Sequence, residues 1–386
     1  MERVHSQQIL KSINQQKILQ LIFTEGPISR VELAKKTRLT QQTVTNIVNR
    51  LLEEEIVLEG MPIPGKGGRK PVPLRVNNSS LYAIGIEVAV KYVRGKVLNF
   101  KNEELGVKEL RDFVFHDEDE FLDCIRRVID DLMRYVPEAE RLKGIGISIQ
   151  GLVDSKEGVL LSASWLKKLR PVRIKKRFEA MYPVPVYVEN DVNLLALIEM
   201  LEGRLTESRN SITLKLDYGI GGALVINRQL YGGSTHVSGE FGHYKAFRGD
   251  YSYRCHCGSY GCLTTLSSES GLRNNAKLTL EEFSMRLRSG DADANRLFNE
   301  IQDAVGLALS NVVTFLNPDH VLLSGKIVSM LGDLLVPSIE RRLFSTIPEL
   351  CRSLRLLHVP EPDEAALAAA LVKHHFFQVP LESLSL

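Results

Sequence analysis

The stretch "CHCGSYGC", residues 255–262, gathers three thiols, Cys255, Cys257 and Cys262. Thiolates this close are metal ligands by type, but a closed tetrahedral zinc site needs four nitrogen or sulfur donors. The fourth must be another residue, and His236, His243 and His256 are the candidates nearby. Gly258 and Gly261 provide the small residues that tight chain reversal between ligands requires. Cys124 and Cys351 read as buried small apolar residues. Five cysteines, three of them clustered, do not form a secreted disulfide framework, and they suit a reducing cytoplasm.

A second kind of chemistry is written near the start, in "GPISRVELAKKTRLTQQTVTNIVNRLLEEEIVLEG". Ser29 with Glu32 forms a capping box, and Val31, Leu33 and Ala34 are the apolar positions of the helix that follows. Thr40 is placed to cap a second helix whose Val44, Ile47, Val48, Leu51 and Leu52 make an apolar stripe. The opposite face offers Gln41, Gln42, Thr43, Thr45, Asn46, Asn49 and Arg50. Amides and hydroxyls at the start of a helix are what base edges and phosphates of a major groove require. "IVLEG" and "VPLRV" enclose the basic loop "MPIPGKGGRKP", so the pattern predicts a winged helix-turn-helix. Lys66, Arg69 and Lys70 would then lie along a minor groove. An upstream helix near residues 7–23 completes the three-helix core, and Arg38 stands in the turn where glycine is common.

Charge agrees with this. Residues 1–80 hold 12 Lys/Arg against 7 Asp/Glu, whereas the remainder holds 37 against 40, so a basic head precedes a slightly acidic body. Such a head suits a polyanion. No apolar run approaches a membrane span of about 20 residues, and the opening "MERVHSQQIL" lacks the apolar stretch of a signal peptide. The sequence predicts a cytoplasmic protein of two or three domains with no membrane partner.

These elements must be positioned by a larger scaffold. From Leu81 the texture becomes α/β: two strands in "LYAIGIEVAVKYVRGKVLNF", a helix in "EDEFLDCIRRVIDDLMRYV", and buried strands in "KGIGISIQGLVD" and "VPVYVENDVN". A second series runs from "SITLKLDYGIGGALVINRQLYGG" to a helix at "DEAALAAALVKHHFF". Two strand-helix series predict two lobes with a ligand cleft between them.

The motifs "GIGISIQGLVD", "VENDVN", "DYGIGGALVINRQLYGG", "GEFGH" and "CHCGSYGC" occur in the order found in the ROK family (repressors, open reading frames and sugar kinases), which this chain resembles along nearly its whole length. With its winged head it looks most like the xylose-operon repressors of Gram-positive bacteria. The resemblance implies two actin/hexokinase-like (RNase H-like) lobes behind the head. It divides the chain into residues 1–78, 79–195 and 196–362, with a terminal helix near 363–378 returning to the first lobe. It also implies a monosaccharide in the cleft, a homodimer or dimer of dimers, and a palindromic double-stranded DNA operator. His243 becomes the fourth ligand of one structural zinc with Cys255, Cys257 and Cys262, and Asn190, Asp191, Glu240 and His243 become the sugar-binding set.

Departures from the family pattern matter as much. "SASW" offers Ser162 and Ser164 where an asparagine is usual before Trp165, and Thr264 replaces a glutamate. Asp191 stands where ROK kinases place a general base, but phosphoryl transfer also needs a cradle for the nucleotide phosphates. The family's D-x-G-G-T motif reads here Glu87-Val88-Ala89-Val90-Lys91, and Asp217 and Tyr218 begin the second phosphate motif. The expectation is a sugar-responsive repressor with no catalytic residues. A sugar kinase with a fused head, or a regulator with a vestigial cleft controlled by a protein partner, are the competing readings.

Overall fold

The computed structural model of the chain describes residues 2–62, 71–111, 117–166 and 171–378, with side chains from Ile13 onward. The head consists of α1 (Glu2–Glu25), β1 (Ile28–Ser29), α2 (Arg30–Thr37), α3 (Gln41–Glu53), β2 (Val57–Glu59) and β3 (Pro73–Val76). Ser29 and Glu32 cap α2 reciprocally, and the Thr40 hydroxyl accepts from the Thr43 amide to start α3. Val44, Ile47, Val48 and Leu51 are buried against Leu33 and the α1 residues Ile18, Leu19 and Ile22. Val31 is a correction to the expected core: it is 48% exposed. It lies two residues, or about 200° of helix, from the fully buried Leu33, so a two-turn helix cannot bury both against one partner. Arg38 takes the left-handed conformation, φ 58°, that a glycine would adopt in this turn. The head strands form an antiparallel sheet in the order β1-β3-β2, which includes a strand, β1, that the sequence pattern did not announce. Lys66, Arg69 and Lys70 lie outside the described residues.

Two five-stranded sheets follow, built on one plan. The first contains β4 (Tyr82–Val88), β5 (Tyr92–Asn99), β6 (Glu104–Arg111), β7 (Leu142–Ile149) and, after the β8 (Leu152–Asp154) and β9 (Val159–Ser162) hairpin, β10 (Val186–Asn190). The second contains β11 (Ser211–Leu216), β12 (Ile220–Ile226), β13 (Gln229–Leu230), β14 (His320–Ser324) and β15 (Arg355–His358). In each, three strands form an antiparallel meander, and the first of them pairs in parallel with a fourth, which pairs in parallel with the fifth. The repeated meander-plus-parallel pair is the actin/hexokinase-like arrangement.

Helices cover the sheets. α4 (Glu118–Met133) buries Phe121, Ile125, Val128 and Ile129 against the first. α5 (Ile174–Glu179) closes that lobe, and α6 (Asp191–Glu202) leaves the end of β10 with Asn190 as its cap. The short α7 (Thr264–Ser267) and α8 (Glu269–Gly271), then α9 (Leu280–Arg288), α10 (Ala292–Leu316) and α11 (Lys326–Thr346), surround the second sheet. The last helix, α12 (Glu364–Phe377), crosses back to lie against β4 and β7. Its approach is close enough that a side chain at Gly85 would sit 1.8 Å from the Ala365 carbonyl oxygen, and one at Gly146 2.0 Å from that of Ala368. No helix among the described residues is long and apolar enough to cross a membrane.

Candidate sugar cleft, metal centre and DNA-reading face

The cleft between the lobes encloses about 360 Å³. Its walls are the ends of β10 and β11, the turn from β11 to β12, the Ser162–Trp165 segment and the loop carrying Glu240. Asn190 and Asp191 from one segment, and Glu240 and His243 from another about 50 residues on, all line it. Asn190 caps α6 by accepting from the Val192 and Asn193 amides, while its own amide donates to the Gly151 carbonyl and to Asp191 Oδ1. The side chain is thereby fixed at the lip of the cleft. Gly239 precedes Glu240 with φ 91°, and a Cβ there would lie 2.2 Å from the Gly222 carbonyl oxygen, so the loop's course into the cleft depends on glycine. Burial, followed by the charge of Asp191, pushes the Glu240 carboxyl above its ordinary value. Ser162, Ser164 and Thr264, which replace the family's usual amide and carboxylate on the sugar side of the pattern, all line the cleft. Trp165 forms part of its wall and donates its indole N–H to the Gln150 carbonyl at 2.8 Å.

A residue that sequence reasoning missed lies at the floor. Lys215, 2% exposed, places Nζ 2.9 Å from Asp191 Oδ2 and 3.5 Å from Asp217 Oδ2, and pairs with Glu364. Burial alone would favour loss of its proton, but the surrounding carboxylates more than reverse this and raise its pKa well above the usual range. Asp191 thus has one oxygen engaged by an ammonium and the other by Asn190.

The positions that match the family's phosphate motifs carry larger or charged side chains here. Glu87 is buried and held by Arg94 at 2.8 Å and by the Tyr92 hydroxyl at 2.5 Å. Val90 and Tyr218 line the cleft, and Lys91 reaches across to lie 5.7 Å from the centre of the Tyr218 ring. Asp217 turns back to accept from the Tyr218 amide at 2.7 Å. The glycine pair of the first phosphate motif is replaced by Ala89 and Val90, whereas Gly219 and Gly221 of the second still line the cleft.

Beside the cleft, the donor atoms of His243, Cys255, Cys257 and Cys262 all lie within 4.8 Å of one another. Cys257 Sγ and Cys262 Sγ are 3.7 Å apart, and Cys255 Sγ is 3.6 Å from His243 Nδ1. Ligands at about 2.3 Å from a tetrahedral zinc would stand roughly 3.7 Å from each other, so the set fits such an ion. Burial, reinforced by His256 and Lys245, holds His243 below its ordinary pKa and favours the neutral imidazole that ligates metals. His256 Nδ1 is 3.7 Å from Cys255 Sγ, at the edge of the cluster, whereas His236 faces Asp154 instead. Gly258 and Gly261 both take positive φ, and a Cβ at Gly261 would lie 2.2 Å from the Phe247 carbonyl oxygen. Lys245, absent from the sequence reading, donates to Cys262 Sγ at 2.8 Å, a cation against the cysteine cluster. His243 Nε2 lies 3.6 Å from Glu240, so one ring faces both the cysteine cluster and Glu240.

On the head, Gln41, Gln42, Asn46, Asn49 and Arg50 are exposed and Thr43 and Thr45 half-buried, on one face of α3. Gln42 donates to Asn46 at 3.1 Å. Arg30 ties this unit to β2 through Glu59 at 2.6 Å.

Comparison with known proteins places both halves. The ROK family model matches residues 83–374, and a winged helix-turn-helix DNA-binding model matches residues 11–57. The Bacillus subtilis xylose repressor is 30% identical over 84% of this chain and 85% of its own length. The Escherichia coli DNA-binding transcriptional repressor Mlc is 26% identical over 86% of this chain and 85% of its own. A crystal structure of a ROK family transcriptional regulator, described as a homolog of E. coli Mlc, superposes with a TM-score of 0.81 at 24% identity, covering 96% of this chain and 97% of that one. A ROK family glucokinase from Streptomyces griseus, in complex with glucose and AMPPNP, matches only 76% of the chain at a TM-score of 0.61 and 22% identity, covering 99% of its own length. The chain belongs to the ROK family and carries a winged helix-turn-helix ahead of the family's two lobes.

Proposed function

We propose that this protein is a sugar-responsive transcriptional repressor of carbohydrate-utilisation genes and not a kinase. One observation supports the reading: a single cleft is lined both by Asn190, Asp191, Glu240 and His243 and by Val90, Asp217 and Tyr218, which stand at the positions of the family's phosphate motifs. A sugar hydroxyl both donates and accepts, so Asn190, Asp191, Glu240 and His243 form a suitable recognition set. The relatives named xylose repressor and Mlc support the regulatory half. We assign base reading to Gln41, Gln42, Thr43, Thr45, Asn46 and Arg50, and backbone contacts to Lys66, Arg69 and Lys70. A homodimer or dimer of dimers on a palindromic operator in the cytoplasm, responding to xylose or a hexose, completes the proposal. The domain limits near residues 78, 195 and 362 belong to it as well.

The metal in this reading is one structural zinc held by His243, Cys255, Cys257 and Cys262. Four protein ligands leave no open position, so the ion would supply folding free energy and brace the Glu240 loop. A thermal-shift screen against pentoses, hexoses and amino sugars tests the ligand. Binding at a hundredfold excess over Kd stabilises by about 2.7 kcal/mol. Gel shifts with the DNA flanking the gene test the operator. Selective stabilisation by one sugar together with a sugar-dependent gel shift is the expected result, and its absence with every sugar overturns the sugar-responsive reading.

A further inference from the structure

Asp191 starts α6 and Glu364 starts α12, and both carboxylates meet Lys215 Nζ beneath the cleft. Lys215 comes from β11 of the second sheet, whereas α12 is seated on β4 and β7 of the first. Ser148 of β7 donates to the second Glu364 oxygen at 2.9 Å, so that carboxylate is bonded from both lobes. Glu364 itself does not line the cleft.

From this floor the two helices run side by side. Leu194 and Ile198 of α6 pack against Ala368 and Leu371 of α12. At the far end Glu202 of α6 closes on Lys373 at 2.8 Å and lies 3.3 Å from His374. α12 spans about 20 Å at 1.5 Å per residue, and its other end touches the head. Phe377 stacks on Phe23 of α1 with ring centres 4.1 Å apart. Gln16 of α1 donates to the Phe376 and Gln378 carbonyls at 2.6 and 2.9 Å. Val372 and Phe377 also belong to one continuous apolar cluster with Ile18, Ile22, Leu33 and Val44 of the head.

We propose that Lys215 is a positioning residue whose bond to Glu364 couples ligand in the cleft to the DNA-reading head through α12. The inference rests on the regulator reading. A ligand that engages Asp191 competes for the charge Lys215 shares between Asp191 and Glu364. The load on Glu364 then changes, and with it the seat of α12 and its contact with Phe23. The link is one buried, fully bonded charge group, and a change in how Lys215 divides its bonds would supply the two states that coupling between distant sites needs.

Hydrogen exchange on the full chain reads the link without requiring a known operator. In the wild type, d-xylose or d-glucose, whichever raises the melting temperature, should slow exchange in residues 364–377 and 13–25 by roughly tenfold. In Glu364→Gln the same sugar should raise the melting temperature as before, while exchange in 13–25 changes less than twofold. Phe377→Leu, at the opposite end of α12 and far from the cleft, should uncouple the head in the same way. Full retention of the 13–25 response in both variants overturns the link. If neither sugar shifts the wild-type melt, the sugar half of the regulator reading fails, and sugar-free chains still decide the link. Glu364→Gln should then exchange several-fold faster than wild type in 13–25 but not in residues 280–288, and unchanged rates in 13–25 overturn it.

Discussion

Asp191 Oδ2 and Lys215 Nζ lie 2.9 Å apart, both within the floor of the cleft. Asp191 accepts from this ammonium on one oxygen and from Asn190 on the other, and phosphoryl transfer needs a phosphate cradle besides a base. With Val90 and Tyr218 on the nucleotide side, the expected outcome is no ATP-dependent phosphorylation of any pentose or hexose. A coupled assay checks this: turnover in the wild type should equal that of Asp191→Asn. Turnover above background that disappears in Asp191→Asn contradicts it.

The metal cluster predicts a different failure. Elemental analysis of the purified chain should find one zinc per molecule, and Cys257→Ser should lose it, because a serine hydroxyl does not replace a thiolate at neutral pH. His243 and Glu240 lie 3.6 Å apart, so loss of the ion should release the segment from about Gly239 to Cys262. Sugar-induced stabilisation then disappears while DNA binding by the head persists. Wild-type melting and sugar response in a zinc-free Cys257→Ser chain would remove the role given to the cluster.

The legible parts of this molecule are those written in contiguous sequence. Ser29 with Glu32, Thr40 and the Val44–Leu51 stripe specify the head because capping and helical periodicity act over a few residues. The three cysteines were legible for the same reason. Lys215 was not: in "ITLKL" a lone lysine reads as an outward-facing position of a half-buried strand. Its burial depends on Asp191 and on Glu364, 149 residues away, which only the two-lobe topology brings together. Strand β6 was missed because "ELGVKELR" is an edge strand exposed at its ends and middle, with too little apolar alternation to signal pairing. Lys245 escaped because nothing in its neighbours distinguishes it from a solvated lysine before the fold sets it against Cys262.

For the head, base reading and backbone attachment should separate. Gln42 is exposed on the first turn of α3, in reach of Asn46. Gln42→Ala should lose roughly 1–3 kcal/mol of discrimination between operator and random duplex if it meets a base edge. Arg69→Ala should weaken both DNAs alike and reduce the slope of log K against log salt by about 1. Titrations at several salt concentrations check both, and unchanged affinity in both folded variants would contradict the winged-helix assignment.

The pair that ties α6 to α12 predicts a pH dependence. Contact with His374, helped by Lys373 and opposed by burial, lowers the Glu202 carboxyl to about 2. An unpaired glutamate in the unfolded chain titrates near 4.3. A depressed carboxylate contributes stability that is present above its unfolded pKa and lost as pH falls towards the folded one. Glu202 is a third exposed, so its contribution is modest. Glu202→Gln should lower the melting temperature near pH 7 by roughly 1–3 °C. That deficit should hold steady from pH 8 to about 5 and shrink progressively below about 4.3, as the wild type protonates the group the variant lacks. Calorimetry of both chains from pH 8 to 3.5 checks it, and a deficit that stays constant down to pH 3.5 would show that Glu202 acts by packing and not by charge.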